Sequence, residues 1–267
     1  MITALPMYDL PEARDATDAW WAVLRRSFLQ AGLAETPREL TRTQNVTDSW
    51  TMPGLLFTQT CGYPFTHDWS DKLRLVATPR YRVDGCEASN YRSAFIVAET
   101  STANSLEDLR GSRIAFNATH SQSGFNAPRA TIAGLARDGA FFGEAKLSRG
   151  HRQSMTMVRA GEADVCAVDC VTWAMHQRHA PEMIEGLRTL AWTESAPNLP
   201  YVTAIQRDDE TVQRLRDGLS AAIADPDGRA AREALFLDGV EILEPEAYQT
   251  IDAMEQAAFD LGYPDLN

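Results

Sequence analysis

The chain has 267 residues, of which 44% are hydrophobic and 23% charged, a composition that excludes a disordered or low-complexity protein and allows one large domain or two medium ones. Its formal net charge of -12 would repel a polyanion such as DNA, and the scattered arginines form no basic patch against that field, so no nucleic-acid partner is expected. No run approaches the roughly 18 apolar residues of a membrane span, and the four cysteines, Cys61, Cys86, Cys166 and Cys170, lack metal-ligand spacing, so they read as thiols and no metal or cofactor is implied.

Strand-like and helix-like stretches alternate along the chain, which predicts an α/β architecture with largely parallel sheets. ITALPMY at the start reads as a short strand. In the following ATDAWWAVLRRSFLQAGL, Trp20, Leu24 and Phe28 fall four apart on one helical face, with Asp15 or Thr17 as a cap and Gly32 as a stop. PGLLFTQT and KLRLVATPRY are the next strands, and YRSAFIVAE is a longer apolar one. SLEDLRG reads as a short capped helix, RIAFN as a strand, residues 126–138 as a helix and AKLSR as a strand. HRQSMTMVRAG is a helix with Met155 and Val158 inward and Gly161 as its stop; DVCAVD is a strand and CVTWAMHQRH a helix. After the extended TLAWTESAPNLPYVTAIQ, the segments DETVQRLRDGLSAAIA and PEAYQTIDAMEQAAFDLG show the 3.6-residue period of a helical tail.

Polar residues collect where predicted strands end: Tyr8, Thr60 to Tyr63, Ser121 to Gly124, His151 and Asp169. In open α/β sheets these carboxyl ends face the ligand crevice, because the chain turns there into helix N-termini with unpaired N–H groups. Ser121, Gln122, Ser123 and Gly124 offer hydroxyls and backbone N–H groups at a helix start, which suits a phosphate, phosphonate or carboxylate without a fixed cation. Gly124 would permit close backbone approach, and Pro128 sets the start of regular helix near Asn126. Ser121 or Ser123 reads equally well as an ordinary N-cap. His151, after Gly150 at another helix start, could donate to an anion or serve as a solvated cap residue. Asp169 could accept from a ligand ammonium or hydroxyl, or cap the helix beginning at Cys170. Tyr8, Trp50, Tyr63 and Tyr91 are candidate aromatic walls, although most aromatics in a chain this size are core. The sequence holds no GxSxG elbow, HExxH pair or phosphate loop ending in Gly-Lys-Ser/Thr, and no spacing pairs Cys61 with a histidine as a nucleophile.

These stretches resemble the phosphate/phosphonate-binding members of the periplasmic solute-binding proteins, the substrate-capturing components of ABC importers. The likeness rests on TQTCGYP, YRSAFIVAE, SLEDLRGSRIAFNATHSQSGFNAPRA, GHRQSM, GEADVCAVD and SAPNLPYV and covers most of the chain. It implies a type II two-lobed fold, each lobe a mostly parallel sheet flanked by helices, with lobe 1 from residues 1–97 and 192–267, lobe 2 from 98–191, and a ligand cleft closed by hinge motion. It further implies that Ser121, Gln122 and Ser123 hold the oxyanion, that His151 and Tyr91 reach the ligand, and that Asp169 recognises a ligand amine. Tyr8 and Tyr63 join the expected site from strand-end placement alone. The implied function is capture or sensing of a phosphate, phosphonate or phosphate ester, without catalysis, with an ABC permease as partner. Two alternatives stand beside it: an enzyme on the same scaffold resembling thiamine-pyrimidine precursor synthases, against which the four separated cysteines count, and a ligand-responsive regulatory module. Without a leader the sequence as it stands reads as cytoplasmic; with one upstream, it reads as periplasmic.

Overall fold

The computed structural model of the protein describes residues 1–266. They divide into two compact units, one built from residues 1–82, 87–89 and 197–247, the other from 83–86, 90–196 and 248–266.

In the first unit a five-stranded sheet has the order Ile2–Thr3, Leu55–Gln59, Tyr201–Ala204, Leu73–Tyr81, Leu237–Glu241. Every residue of Leu55–Gln59 is buried, as an apolar run covered on both faces must be. Helix Arg14–Gln30 packs against helix Asp209–Ala224, and Gly218 makes the approach possible, since a Cβ there would lie 2.6 Å from Phe28 Cδ1. Phe28 packs on Phe57 and Phe57 on Tyr201, with ring centroids 5.1 Å apart in each case. Gly32, at φ +89°, follows the first helix in the left-handed region as expected. Its start differs from expectation: a 3-10 turn at Pro11–Ala13 leads into the helix without a side-chain cap. Asp15 and Thr17 lie inside it, and the Thr17 hydroxyl donates to Ala13 O.

The second unit holds a sheet of order Leu187–Trp192, Ser93–Ala98, Val165–Asp169, Arg113–Phe116, Glu144–Leu147. Alternation along its central strands feeds two cores. Phe95 and Val97 join Ile114, Phe125 and Ile132 on one side, while Ala94 and Ile96 join Met155, Val158 and Cys166 on the other. YRSAFIVAE is two strands, Asn90–Tyr91 and Ser93–Ala98, separated at Arg92.

Two expectations are corrected. The sheets are mixed rather than mostly parallel. Parallel pairing joins Arg113–Phe116 to both Glu144–Leu147 and Val165–Asp169, where helices supply the crossovers that parallel neighbours need. Ser93–Ala98 runs against both of its neighbours and Tyr201–Ala204 against both of its own, because each is entered directly from a segment leaving the other unit. The second correction concerns the C-terminal segment, expected in the first lobe together with residues 90–97 and 192–196. Helix Gln249–Asp260 packs on helix Ala127–Ala133, and Ala258, Tyr263 and Leu266 are fully buried in the Phe95 core. Amphipathic periodicity marks the face that must be covered but not which surface covers it.

Candidate functional site

Because Ser93–Ala98 is reversed, its N-terminal end lies at the same end of the sheet as the carboxyl ends of the other four strands. Ser93 stands opposite Asp169 in the register, and that end of the sheet also carries Asn117 after Arg113–Phe116 and Ser148 after Glu144–Leu147. Chain direction alone therefore gathers polar residues from four strands.

The serine-rich turn is a five-residue π-helical element, Gln122–Asn126, running into α-helix Ala127–Ala133 with Pro128 in its first turn. Asn126 N donates to Ser121 O at 3.0 Å, and this wider turn leaves the first backbone N–H groups without intrahelical partners. Ser121 Oγ accepts from Gly124 N at 3.1 Å. The capping role considered for Ser121 is thus real, and it uses only an oxygen lone pair, leaving the hydroxyl hydrogen for another acceptor.

His151 opens helix His151–Arg159 behind Gly150, whose backbone is extended, and Arg149, held at φ +72°. Ser148 bonds Phe116 O through both its backbone N and its hydroxyl, at 2.8 and 3.0 Å, and meets Ser154 Oγ at 2.6 Å. These bonds pin the strand end from which the histidine projects. His151 Nε2 lies 2.9 Å from Ser123 Oγ and 3.5 Å from Asp169 Oδ2. Asp169 Oδ1 also accepts from Thr172 N at 2.8 Å, so the expected cap is present and the other carboxylate oxygen of the same group faces His151. A carboxylate only accepts, and its position favours the tautomer with hydrogen on Nε2. Nε2–H can then donate to Ser123 Oγ, which directs the serine hydroxyl hydrogen outward as a polarised donor.

Burial holds the His151 imidazole below its ordinary pKa of 6.5; Asp169 pushes the other way, and His176 reinforces the lowering. The group is therefore neutral at pH 7, and the sign of its linkage follows. Between the folded and unfolded pKa values the unfolded chain binds more protons, so stability from neutral His151 is full above about pH 6.5 and is lost as pH falls below it. The melting midpoint of the unliganded protein should accordingly drop more between roughly pH 7.5 and 5 than that of His151→Gln. Equal drops in a side-by-side thermal scan would remove His151 from this role.

Gly124 serves a different purpose from the one expected. A Cβ there would sit 1.9 Å from Asn117 Oδ1 and 3.3 Å from His151 Cε1, so its bareness accommodates Asn117 and the histidine ring, not a ligand. Gly124→Ala should cost about 1–2 kcal/mol by overpacking, and Asn117→Gly in the same chain should recover most of it, as read from urea unfolding.

Gln122 is corrected likewise. Its side chain is 1% exposed and turned inward, donating from Nε2 to Met254 Sδ and accepting at Oε1 from Asn126 Nδ2 at 2.8 Å. Only its backbone belongs to the turn. Tyr91 is buried two residues before Ser93. Tyr8 and Tyr63 lie in the first unit. Tyr8 packs edge-on against Tyr81 at 5.3 Å and lines a small cavity of about 30 Å³ with Trp20, Gln59 and Tyr201. Burial pushes the Tyr201 phenol up to about 12. Tyr63 stacks on His67, centroids 3.9 Å apart, and does not line that cavity.

Two residues were missed. Asn117 Oδ1 and Ser93 Oγ are buried without a hydrogen-bond partner among the described residues, at the sheet end that carries Asp169 and Ser148. Each is a single polar residue at a strand terminus, and that position was the only signal available. Among the described residues no group of three or more His, Cys, Asp or Glu side chains could hold a metal ion, and no helix is long and apolar enough to cross a membrane.

Known structures share this architecture. A binding component of an ABC phosphonate transporter from Pseudomonas aeruginosa superposes with a TM-score of 0.77 at 15% identity, covering 98% of this chain and 87% of that one. A Prochlorococcus marinus protein solved with methylphosphonate gives 0.74 at 15% identity over 96% and 97%. A Xanthomonas citri protein bound to ATP gives 0.70 at 16% identity over 98% and 97%. At these identities the likeness shows a common fold, that of two-lobed binding proteins. No curated protein matches the sequence. The sequence profile of the phosphonate periplasmic substrate-binding proteins of ABC transporters matches residues 55–248, well over half of the chain, and the protein belongs to that family.

Proposed function

We propose that this solute-binding protein captures a small anion bearing a phosphate or phosphonate group at the Ser121–Ser123–His151 edge, releases it unchanged to an ABC permease, and works in the periplasm. The observation that carries the reading is the pairing of Ser123 with a neutral, buried His151 at 2.9 Å. It offers a polarised hydroxyl donor without a fixed cation, which suits reversible capture of an oxyanion better than permanent charge pairing. Methylphosphonate and ATP, carried by two of the structural relatives, share a tetrahedral phosphorus oxyanion and little else, and the proposed class is that shared group. Asp169 would oppose an anion brought directly against it, so a ligand whose phosphonate carries an amine on a short arm fits the edge best.

Capture rather than catalysis is supported by how the histidine is used. Ser123 and Asp169 both address Nε2, whereas a Ser-His-Asp relay sets the carboxylate on the opposite ring nitrogen to the serine.

Calorimetric and thermal titration with phosphate, methylphosphonate, 2-aminoethylphosphonate, a phosphate ester and a dicarboxylate tests the reading. A true ligand at a hundred times its Kd adds about 2.7 kcal/mol and raises the midpoint by roughly 5–10 °C. Silence from every phosphorus oxyanion would sink the proposed ligand class, and inorganic phosphate released from the ester would sink the non-catalytic part.

A further inference from the structure

Cys86 and Cys170 are 84 positions apart in sequence, yet their sulfurs lie 3.4 Å apart inside the second unit. Cys170 is 1% exposed and directly follows Asp169, while Cys86 is half-buried. The approach is built into the backbone. Gly85 stands at φ +92°, and a Cβ there would fall 2.8 Å from Cys170 Cβ and 2.7 Å from Trp192 Cζ3, so only glycine lets this turn lie against the helix start. Cys61 and Cys166 are buried elsewhere, and burial pushes the Cys166 thiol well above its ordinary range.

We propose that Cys86 and Cys170 form an oxidative cross-linking site, closed to a disulfide by a disulfide-bearing thiol oxidant. Joining sulfurs at this separation needs a shift of little more than 1 Å toward bonding distance. The half-buried Cys86 is the sulfur an outside reagent reaches. Its thiolate attacks one sulfur of the oxidant's disulfide, forming a mixed disulfide and expelling the other sulfur as a thiol that takes up the proton. Cys170 then attacks Cys86 Sγ, displaces the second oxidant sulfur and passes its own proton to it. Two electrons and two protons move to the oxidant, which leaves as two thiols. Hydrogen bonding to Cys86 and burial both hold the Cys170 thiol up, so the exchange quickens in alkaline buffer. The cross-link ties the 83–86 segment to the strand end that carries Asp169, and an oxidising compartment would maintain it.

The test treats the purified full chain with oxidised glutathione under native conditions, then counts thiols after denaturation and maps tryptic peptides by mass. The expected result is two titratable thiols instead of four, an intact mass lower by two hydrogen atoms, and one cross-linked pair of peptides holding Cys86 and Cys170. Cys86→Ser should keep its remaining thiols unpaired under the same treatment. Four thiols surviving in the parent, a stable glutathione adduct on Cys86 without loss of Cys170, or a mixture involving Cys61 or Cys166 would each overturn the assignment.

Discussion

Replacing Arg129 by methionine is expected to destabilise the second unit by about 3 kcal/mol, the scale of removing one partner from a buried ion pair. Arg129 is 2% exposed. Its guanidinium donates to Pro264 O at 2.8 Å, Asn126 Oδ1 at 2.7 Å and Glu255 Oε1 at 3.0 Å, and lies 5.1 Å from the ring centroids of both Phe125 and Phe259. Methionine keeps an unbranched apolar stem between the rings and removes the charge and all three hydrogen bonds, so the loss reports polar interactions rather than a cavity. The Glu255 carboxylate would be left 17% exposed without its cation, and Glu255→Gln in the same chain should recover part of the loss. Because Asn126 also ends the serine-rich π-turn, Arg129→Met should loosen the proposed anion site as well as the C-terminal helix. Urea unfolding with fluorescence and far-UV detection measures the first effect. An unchanged midpoint would show that the C-terminal segment is held by its apolar face alone.

Local signals in this sequence were legible, and long-range pairings were not. Gly161, at φ +71°, follows the His151 helix, whose Met155 and Val158 face the core, because a left-handed C-terminal residue and a 3.6-residue period are written within a few positions. The capping roles of Ser121 and Asp169 are legible for the same reason: short polar side chains at a strand end have few roles open to them. The inward turn of Gln122 is not legible, because its partners, Met254 and Asn126, lie on a helix 132 residues away and on the next turn. Gly124 has Asn117 and His151 in the space beside it, and nothing in SQSG reveals which neighbour a bare Cα serves. Sheet direction escaped for a topological reason. A strand entered directly from another unit carries the same apolar pattern as one entered by a helical crossover, and only the crossover fixes parallel pairing.

Ser123→Ala is expected to weaken binding of a phosphonate or phosphate ligand by roughly 10- to 100-fold, the loss of one charge-assisted hydrogen bond of about 1–3 kcal/mol. His151→Ala should fall in the same range, but the informative quantity is the double variant. If His151 acts by donating to Ser123 Oγ and so turning the serine hydrogen toward the anion, removing both side chains should cost little more than removing one, leaving a coupling of at least about 1 kcal/mol in a double-mutant cycle. If each side chain touches the ligand separately, the losses should add. Global stability should move little in Ser123→Ala, because Nε2 keeps Asp169 at 3.5 Å. The pH dependence gives a second axis. An arriving dianion favours the protonated imidazole that burial disfavours, so near pH 6 the parent and Ser123→Ala should take up more protons on binding than His151→Ala, whose exchange reports the ligand's own ionisation, as read by calorimetry in buffers of different ionisation enthalpy. Parent-level affinity in both single variants would remove this edge of the sheet as the capture site, while additive losses with normal proton uptake would retain the site and replace the relay through Ser123 with two independent contacts.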